Sequence, residues 1–542
     1  MADVEAILRR HDAAVALRGN WDSLCQEIAE RVWPQMADFE TRDRADGEKR
    51  TEKMFDATPA LALQKFAAAI ESFSTPRNQR WNKLEVTDPA LKKAQRVRAY
   101  LDELNDQLYR VRYSPRAAFA TQTHEVYLSY GAFGSGAMMI EDDVASQAIR
   151  YKSMHLAGLS FMEDQHGNVD TLFRLHKQTV RQLAQRFGID RLPAKLRAKL
   201  EKTPDERVPV LHYIAPRDDW MPGKLGARGM PWQSCVLLPE EKHELSDRGY
   251  AGKPFALCRY MTAPNEVMGR SPAWLALSNI KVLNEQKKTM LKAGHKAVDP
   301  PLLAYEDGVL NAFSQVPGAI NFGGLDAQGN QLVRPLVSGA RLDYGVELMD
   351  KEREIINDAF LVTLFRILVE TPNMTATEVL ERAQEKATLL APVIGRIQSE
   401  FLGPMIEREI QILADADQLP PMPPELIEAE GEYRIEYTSP MAKAMRASDG
   451  IAIVRTLESV LPLAQVDRGV LDSFDLDEAA RELADINGVP AKIVRDAEQV
   501  RAMKEGRAQQ EQAAALLQAA PAVSGAAANL VKLQQNFGRP VV

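Results

Sequence analysis

Residues 370–385 read Glu370-Thr371-Pro372-Asn373-Met374-Thr375-Ala376-Thr377-Glu378-Val379-Leu380-Glu381-Arg382-Ala383-Gln384-Glu385, and the architecture of the chain follows from them outward. Pro372 keeps its predecessor out of the helical region. Thr375 and Glu378 have capping-box spacing, the threonine as N-cap and the glutamate reaching back from the third helical position. The run before Glu370 is apolar and ends in Leu368-Val369. Glu370 to Met374 is therefore a short hinge between two long helices.

Upstream, residues 344–370 predict one helix. Its charged run Asp350-Lys351-Glu352-Arg353-Glu354 precedes an apolar stripe at Ile355, Ile356, Ala359, Phe360, Leu364, Ile367 and Leu368. Downstream, residues 375–415 predict a helix of roughly 60 Å if straight, kinked at Pro392 and Pro404. Residues 299–343 are rich in Gly and Pro and read as loops and short strands. Before them, Ser271-Pro272 opens a helix to Val298, about 40 Å long, which Asp299-Pro300-Pro301 stops.

Further out the texture changes. Residues 1 to about 82 read as helical, with Leu91 to Tyr113 a further helix. From about 131 to 270 short β-like runs dominate; Gly158–Met162 and Val169–Leu175 flank a His166-Gly167-Asn168 turn. Thr179 and Gln182 cap a short helix that Gly188 ends. After Pro420 a strand-like run, Tyr433 to Tyr437, leads to helices reaching about 520, and residues 521–542 read as a flexible tail. The fold class expected is α+β, mainly helical.

Composition excludes several classes. With 542 residues, 45% apolar and 26% charged, the chain has the make-up of an ordinary globular protein with several cores. Cys25, Cys235 and Cys258 are odd in number and far apart, against a disulfide framework or zinc site and in keeping with a reducing compartment. The acidic N-terminus lacks signal-peptide character. The best apolar run, Ala359 to Val369, is short and holds Arg366, so no membrane span is expected. A net charge of −8 disfavours tight DNA binding, which depends on neutralising phosphates, and suits a surface past which DNA slides.

Motifs for catalysis are weak. Gly131 to Gly136 reads G-x-x-G-x-G with no Lys-Ser/Thr after it, and no Walker motif occurs, so a turn or bulge is the better reading. His124-Glu125 lacks the second histidine of a zinc protease, since position 128 is Leu128. Asp142-Asp143 and Asp218-Asp219 are paired carboxylates without a visible pocket. No catalytic, cofactor or metal site is expected.

Lys281, Lys288, Lys292 and Lys296 share one helix face, and like charges at i,i+4 cost about 0.2–0.5 kcal/mol per pair. Three readings stay open for them: a solvated face, pairing with acidic residues of a neighbouring subunit (Asp350, Glu352, Glu354), or contact with DNA phosphates.

The sequence T-A-T-E-V-x-x-R-x-x-E between two long helices resembles the head-to-tail connector, or portal, family of short-tailed phages. Thr75-Pro76 followed by Trp81, Tyr130 to Gly136, Met268-Gly269-Arg270-Ser271-Pro272 and Tyr437 to Ala442 resemble further family segments in the same order, over about residues 15–510. The resemblance implies a wing at 1–270, a first stem helix at 271–298, a clip at 299–343 and a second stem helix at 344–369. A tunnel loop at 370–374, a long kinked helix with a wing strand at 375–439, and a crown at 440–520 would follow. Glu370, Thr371, Pro372, Asn373 and Met374 would then line the narrowest part of a channel. The resemblance further implies a non-enzymatic ring, dodecameric in the family, at one capsid vertex of the virion, made in the host cytoplasm. Its partners would be capsid protein and scaffold, terminase, tail adaptor or nozzle proteins, and double-stranded DNA passing through without sequence specificity. The competing readings are a non-ring tail or scaffold adaptor and a packaging enzyme.

Overall fold

The computed structural model describes residues 3–40, 47–143, 148–304, 324–335, 342–369, 390–429, 433–438, 452–462, 473–486 and 499–510, with a few isolated positions between them. The chain divides into two compact units. One comprises Met1–Trp81, Leu108–Gln418 and Ser439–Met445; the other comprises Asn82–Gln107, Leu419–Thr438 and Arg446–Val542.

Helices α1 (Val4–Ala16), α2 (Gly19–Val32) and α3 (Thr58–Ser74) lead to strand β1 (Asn82–Val86), α4 (Pro89–Lys93) and α5 (Gln95–Arg112). The single helix expected over 91–113 is thus two, parted at Ala94, whose backbone is extended. α6 (Phe119–Phe133) ends at Gly134, which sits at φ +76° and where a Cβ would run into the Gly269 carbonyl, so a side chain there has neither the conformation nor the space.

Two antiparallel sheets follow. β2 (Ser135–Asp143) pairs with β3 (Ala148–Met154) and, on its other side, with β9 (Phe255–Arg259). The larger sheet runs β4 (Leu159–Glu163), β5 (Val169–Thr179), β6 (Arg207–Pro216), β7 (Trp232–Leu238), β8 (His243–Tyr250), each bonded to the next. The expected β4–β5 hairpin is present. Its turn is fastened by Asp164, whose carboxylate accepts from the backbone of His166 at 2.8 Å and Asn168 at 2.9 Å.

The period-2 alternation of the strands gives the larger sheet two covered faces. On one, Phe173, Leu211, Cys235 and Leu237 pack with Ile7 and Ala14 of α1. On the other, Val208, Val210, Val236 and Leu238 meet Val180, Leu183 and Leu196, which belong to α7 (Val180–Phe187) and α8 (Ala194–Lys202). The capping box read from Thr179 and Gln182 is formed at both bonds, 3.2 and 2.9 Å, and Gly188 ends the helix at φ +87°. Thr179→Ala is expected to cost about 1 kcal/mol in urea unfolding. An unchanged midpoint would show that the box contributes nothing.

Ser271 caps α9 (Pro272–Leu275) by accepting from the Trp274 amide at 2.9 Å, and α10 (Leu277–Val298) follows. Short strands β10 (Leu302–Ala304) and β11 (Val333–Pro335) pair antiparallel within the Gly/Pro-rich excursion. The helix expected over 344–370 is corrected: it breaks into α11 (Leu342–Ala359) and α12 (Val362–Val369), with Leu361 at φ +59°. Phe360 and Phe365 both pack edge-on to Phe66 of α3. On one continuous helix they would point about 140° apart. The left-handed residue re-phases the chain so that both rings reach the core, at about 1–2 kcal/mol of backbone strain.

The helix expected over 375–415, with kinks at Pro392 and Pro404, is described from Leu390 onward, where a π-helical stretch, Ile397–Leu402, lies between the two prolines ahead of α13 (Gly403–Asp415). Glu400 in that stretch accepts from Nε and Nη2 of Arg259, each at 3.0 Å.

In the second unit β1 pairs antiparallel with β12 (Tyr433–Tyr437). Burial pushes the Glu85 carboxyl up, but Lys83 and Lys92 outweigh this and draw it down to about 2.

Candidate functional site

α10 and α11 form an antiparallel hairpin. Asn279 donates to Glu352 at 2.9 Å, and the Met290 thioether lies over Gly345, where a Cβ would push it aside. A groove of about 540 Å³ runs along the seam between Val282, Gln286 and Met290 on one helix and Gly345 and Leu348 on the other.

The base of the hairpin is tied to the N-terminal helices by groups that share no sequence pattern. Buried Asn284 accepts from the backbone amides of Phe55 (2.7 Å) and Asp56 (3.2 Å). Arg353 donates to Asp56 at 2.7 Å. Burial raises the Asp56 carboxyl, while Thr58 and Arg353 together lower it by more, so its pKa falls below the ordinary carboxylate value. Neither Asn284 nor Asp56 stands out in the sequence, because their partners are more than 200 residues away.

The lysines of α10 divide. Lys281 bonds Glu27 of α2 at 2.6 Å, an intrachain partner that sequence spacing does not show. Lys288 lies 3.5 Å from Glu285 and 5.7 Å from the Phe55 ring centre. Lys292 and Lys296 are exposed, with no ion pair among the described residues. The acidic trio divides as well. Glu352 faces Asn279 within the chain, Asp350 bonds Arg353 at 2.7 Å, and Glu354 is exposed. Glu370, Thr371, Pro372, Asn373 and Met374 lie outside the described residues.

The paired carboxylates have cationic partners: Asp143 with Arg150 at 2.6 Å, and Asp219 with Arg228 at 3.0 Å. Among the described residues no cluster of His, Cys, Asp and Glu could hold a metal ion. No helix of the described residues is long and apolar enough to cross a membrane.

The profile of a family described as bacteriophage head to tail connecting protein matches residues 4–494. The chain belongs to that family.

A probable portal protein of Bordetella phage BPP-1 is 30% identical over 92% of this chain and 90% of its own. The portal protein of Salmonella phage epsilon15 is 28% identical over 95% of this chain and 93% of its own. Among solved structures, the virion of a native gene transfer agent particle matches at a TM-score of 0.37 and 10% identity, over 74% of this chain and 86% of that one. The connector thus has portal function and is a structural component of a phage particle. The match extends beyond the 15–510 span of the sequence resemblance at the N-terminal end and stops short of it at the other.

Proposed function

We propose that copies of this connector close into a ring, twelve in number, at one capsid vertex, and that double-stranded DNA enters and leaves through its opening. The observation that carries this is the family match over residues 4–494. The α10–α11 hairpin supports the stem reading of 271–369, with the clip at 299–343 between its helices, and the tunnel loop at 370–374 rests on the sequence resemblance. Residues 1–270 serve as the wing and 440–520 as the crown.

The role is mechanical and not enzymatic. The ring nucleates capsid assembly with the major capsid protein and scaffold, docks the terminase motor, and later holds tail adaptor or nozzle proteins. At −8 per chain, twelve copies carry about −96, a field that repels phosphate at long range and favours sliding over binding. Ring closure by one repeated rotation needs two different, complementary faces on each subunit.

Light scattering of the purified chain with negative-stain images tests the reading. Rings of about twelve 60.4 kDa subunits with a duplex-wide opening are expected. A monomer at every concentration tested would favour a non-ring adaptor. A second test addresses the loop: deleting Asn373 and Met374 is expected to leave rings intact while DNA packaging or retention fails. Lost ring assembly in that variant would make the loop a structural element instead.

A further inference from the structure

We infer that the α10–α11 hairpin carries one basic and one acidic edge, and that the basic edge of one copy docks on the acidic edge of the next. This rests on the ring reading above and names the surface that closes it.

The charges of the two helices are opposite and equal. α10 holds five lysines against one glutamate, a net of +4, and α11 holds six carboxylates against one lysine and one arginine, a net of −4. They are also placed alike. Lys281, Lys288, Lys292 and Lys296 follow spacings of 7, 4 and 4. On α11, Asp343, Glu347, Asp350, Glu354 and Asp358 recur at three or four residues.

At about 100° per residue, the lysine stripe points some 145° away from Asn279, Gln286 and Met290, the positions that meet α11. The acidic stripe likewise points about 160° away from Gly345, Leu348 and Glu352, which meet α10. The two stripes therefore lie on the outer edges of the hairpin, one on each side, and cannot pair with each other, although Lys281 at the base already bonds Glu27 of α2. An exposed apolar residue flanks each, Leu291 (47% exposed) and Val346 (46% exposed), about 95° and about 80° round the helix from the stripe's centre.

The lengths agree too. Met290 against Gly345 sets the height of one helix relative to the other. A second hairpin standing alongside at equal height, in the same antiparallel sense, brings Lys288 level with Glu347, Lys292 level with Asp343 and Lys281 level with Glu354. Glu285 falls level with Asp350, whose carboxylate Arg353 already covers at 2.7 Å. Single exposed ion pairs are worth little, but a ladder of them repeated at every subunit boundary forms a network. It also selects the head-to-tail order, because two like edges repel.

The test uses two charge-reversed full-length chains and the unaltered chain. Lys288→Glu, Lys292→Glu and Lys296→Glu together leave three Glu against Lys281 on the first edge, so both edges are acidic; Asp343→Lys, Glu347→Lys and Glu354→Lys together leave three Lys against two Asp on the second, so both edges are basic. None of these six side chains is buried. Mass is read by light scattering at low and high salt. The unaltered chain is expected to form rings, each reversed chain alone to lose at least tenfold in ring fraction, and an equimolar mixture to regain it. Raised salt should weaken the unaltered ring. Recovery on mixing excludes misfolding as the cause of the loss. Rings from either reversed chain alone, or no recovery on mixing, would overturn the edge assignment while leaving the ring reading intact. An unaltered chain that stays monomeric would remove the ring reading itself.

Discussion

Glu409→Leu is expected to lower the unfolding free energy of the connector by about 3–5 kcal/mol. Glu409 on α13 and Arg112 at the end of α5 are fully buried and bonded at 3.0 and 2.5 Å, and the Tyr151 hydroxyl donates to the same carboxylate at 2.6 Å. The guanidinium also lies 4.4 Å from the Trp81 ring centre and 5.1 Å from that of Tyr109. Burial works against the Arg112 charge, but Glu409 more than offsets it, and the pKa is raised.

Removing the carboxylate strands a desolvated cation, which costs far more than the intact pair contributes. Arg112→Met combined with Glu409→Leu is therefore expected to recover most of the loss, since it buries no charge. Denaturant unfolding of the single and double variants decides the matter. A double variant as unstable as Glu409→Leu would show that the cost comes from packing and not from the charge.

The second large effect is a loss of stability under mild acid. His212 on β6 is buried and bonds Ser234 at 2.9 Å; His176 on β5 bonds Gln178 at 2.9 Å. Burial, then the positive charge of Arg174 and Arg186, holds His212 down to about 3. Burial, Arg174, Lys152 and Arg186 hold His176 down to about 4.

In the unfolded chain both titrate near 6.5, so below that pH the unfolded state takes up protons the folded state refuses. Stability therefore falls as pH falls from about 6.5 toward about 4, by roughly 1.4 kcal/mol per pH unit for fully buried His212 and less for half-buried His176. Urea midpoints at pH 7 and pH 5 should separate, and His212→Gln should narrow that gap by roughly 2 kcal/mol. An equal gap in variant and parent would mean that carboxylates alone set the acid response.

Legibility from sequence followed the range of the interaction. The Thr179 capping box, the Ser271 helix start, the β4–β5 turn at Gly167 and the lysine face of α10 depend on neighbours within a few residues, and all of them could be read. The trio Asp350, Glu352 and Glu354 was read as one acidic group. The structure separates it, because helix phase turns Glu352 toward α10 and the other two away. The fuller acidic stripe, with Asp343, Glu347 and Asp358, was present in the 3.6-residue period but masked by Lys351 and Arg353 between its members.

The sequence alone determined membership of the family, the mixed helix-and-strand class and the helix that opens at Ser271, since periodicity, caps and turn residues act locally. Only the tertiary structure decided where α11 breaks, because Phe360 and Phe365 must both reach Phe66. It also decided that Lys281 meets Glu27, that Asp56 and Asn284 anchor the hairpin, and that Arg112 finds Glu409 across 297 residues. Such pairings leave no mark in local patterns, because burial brings those groups together only once the chain has folded back on itself.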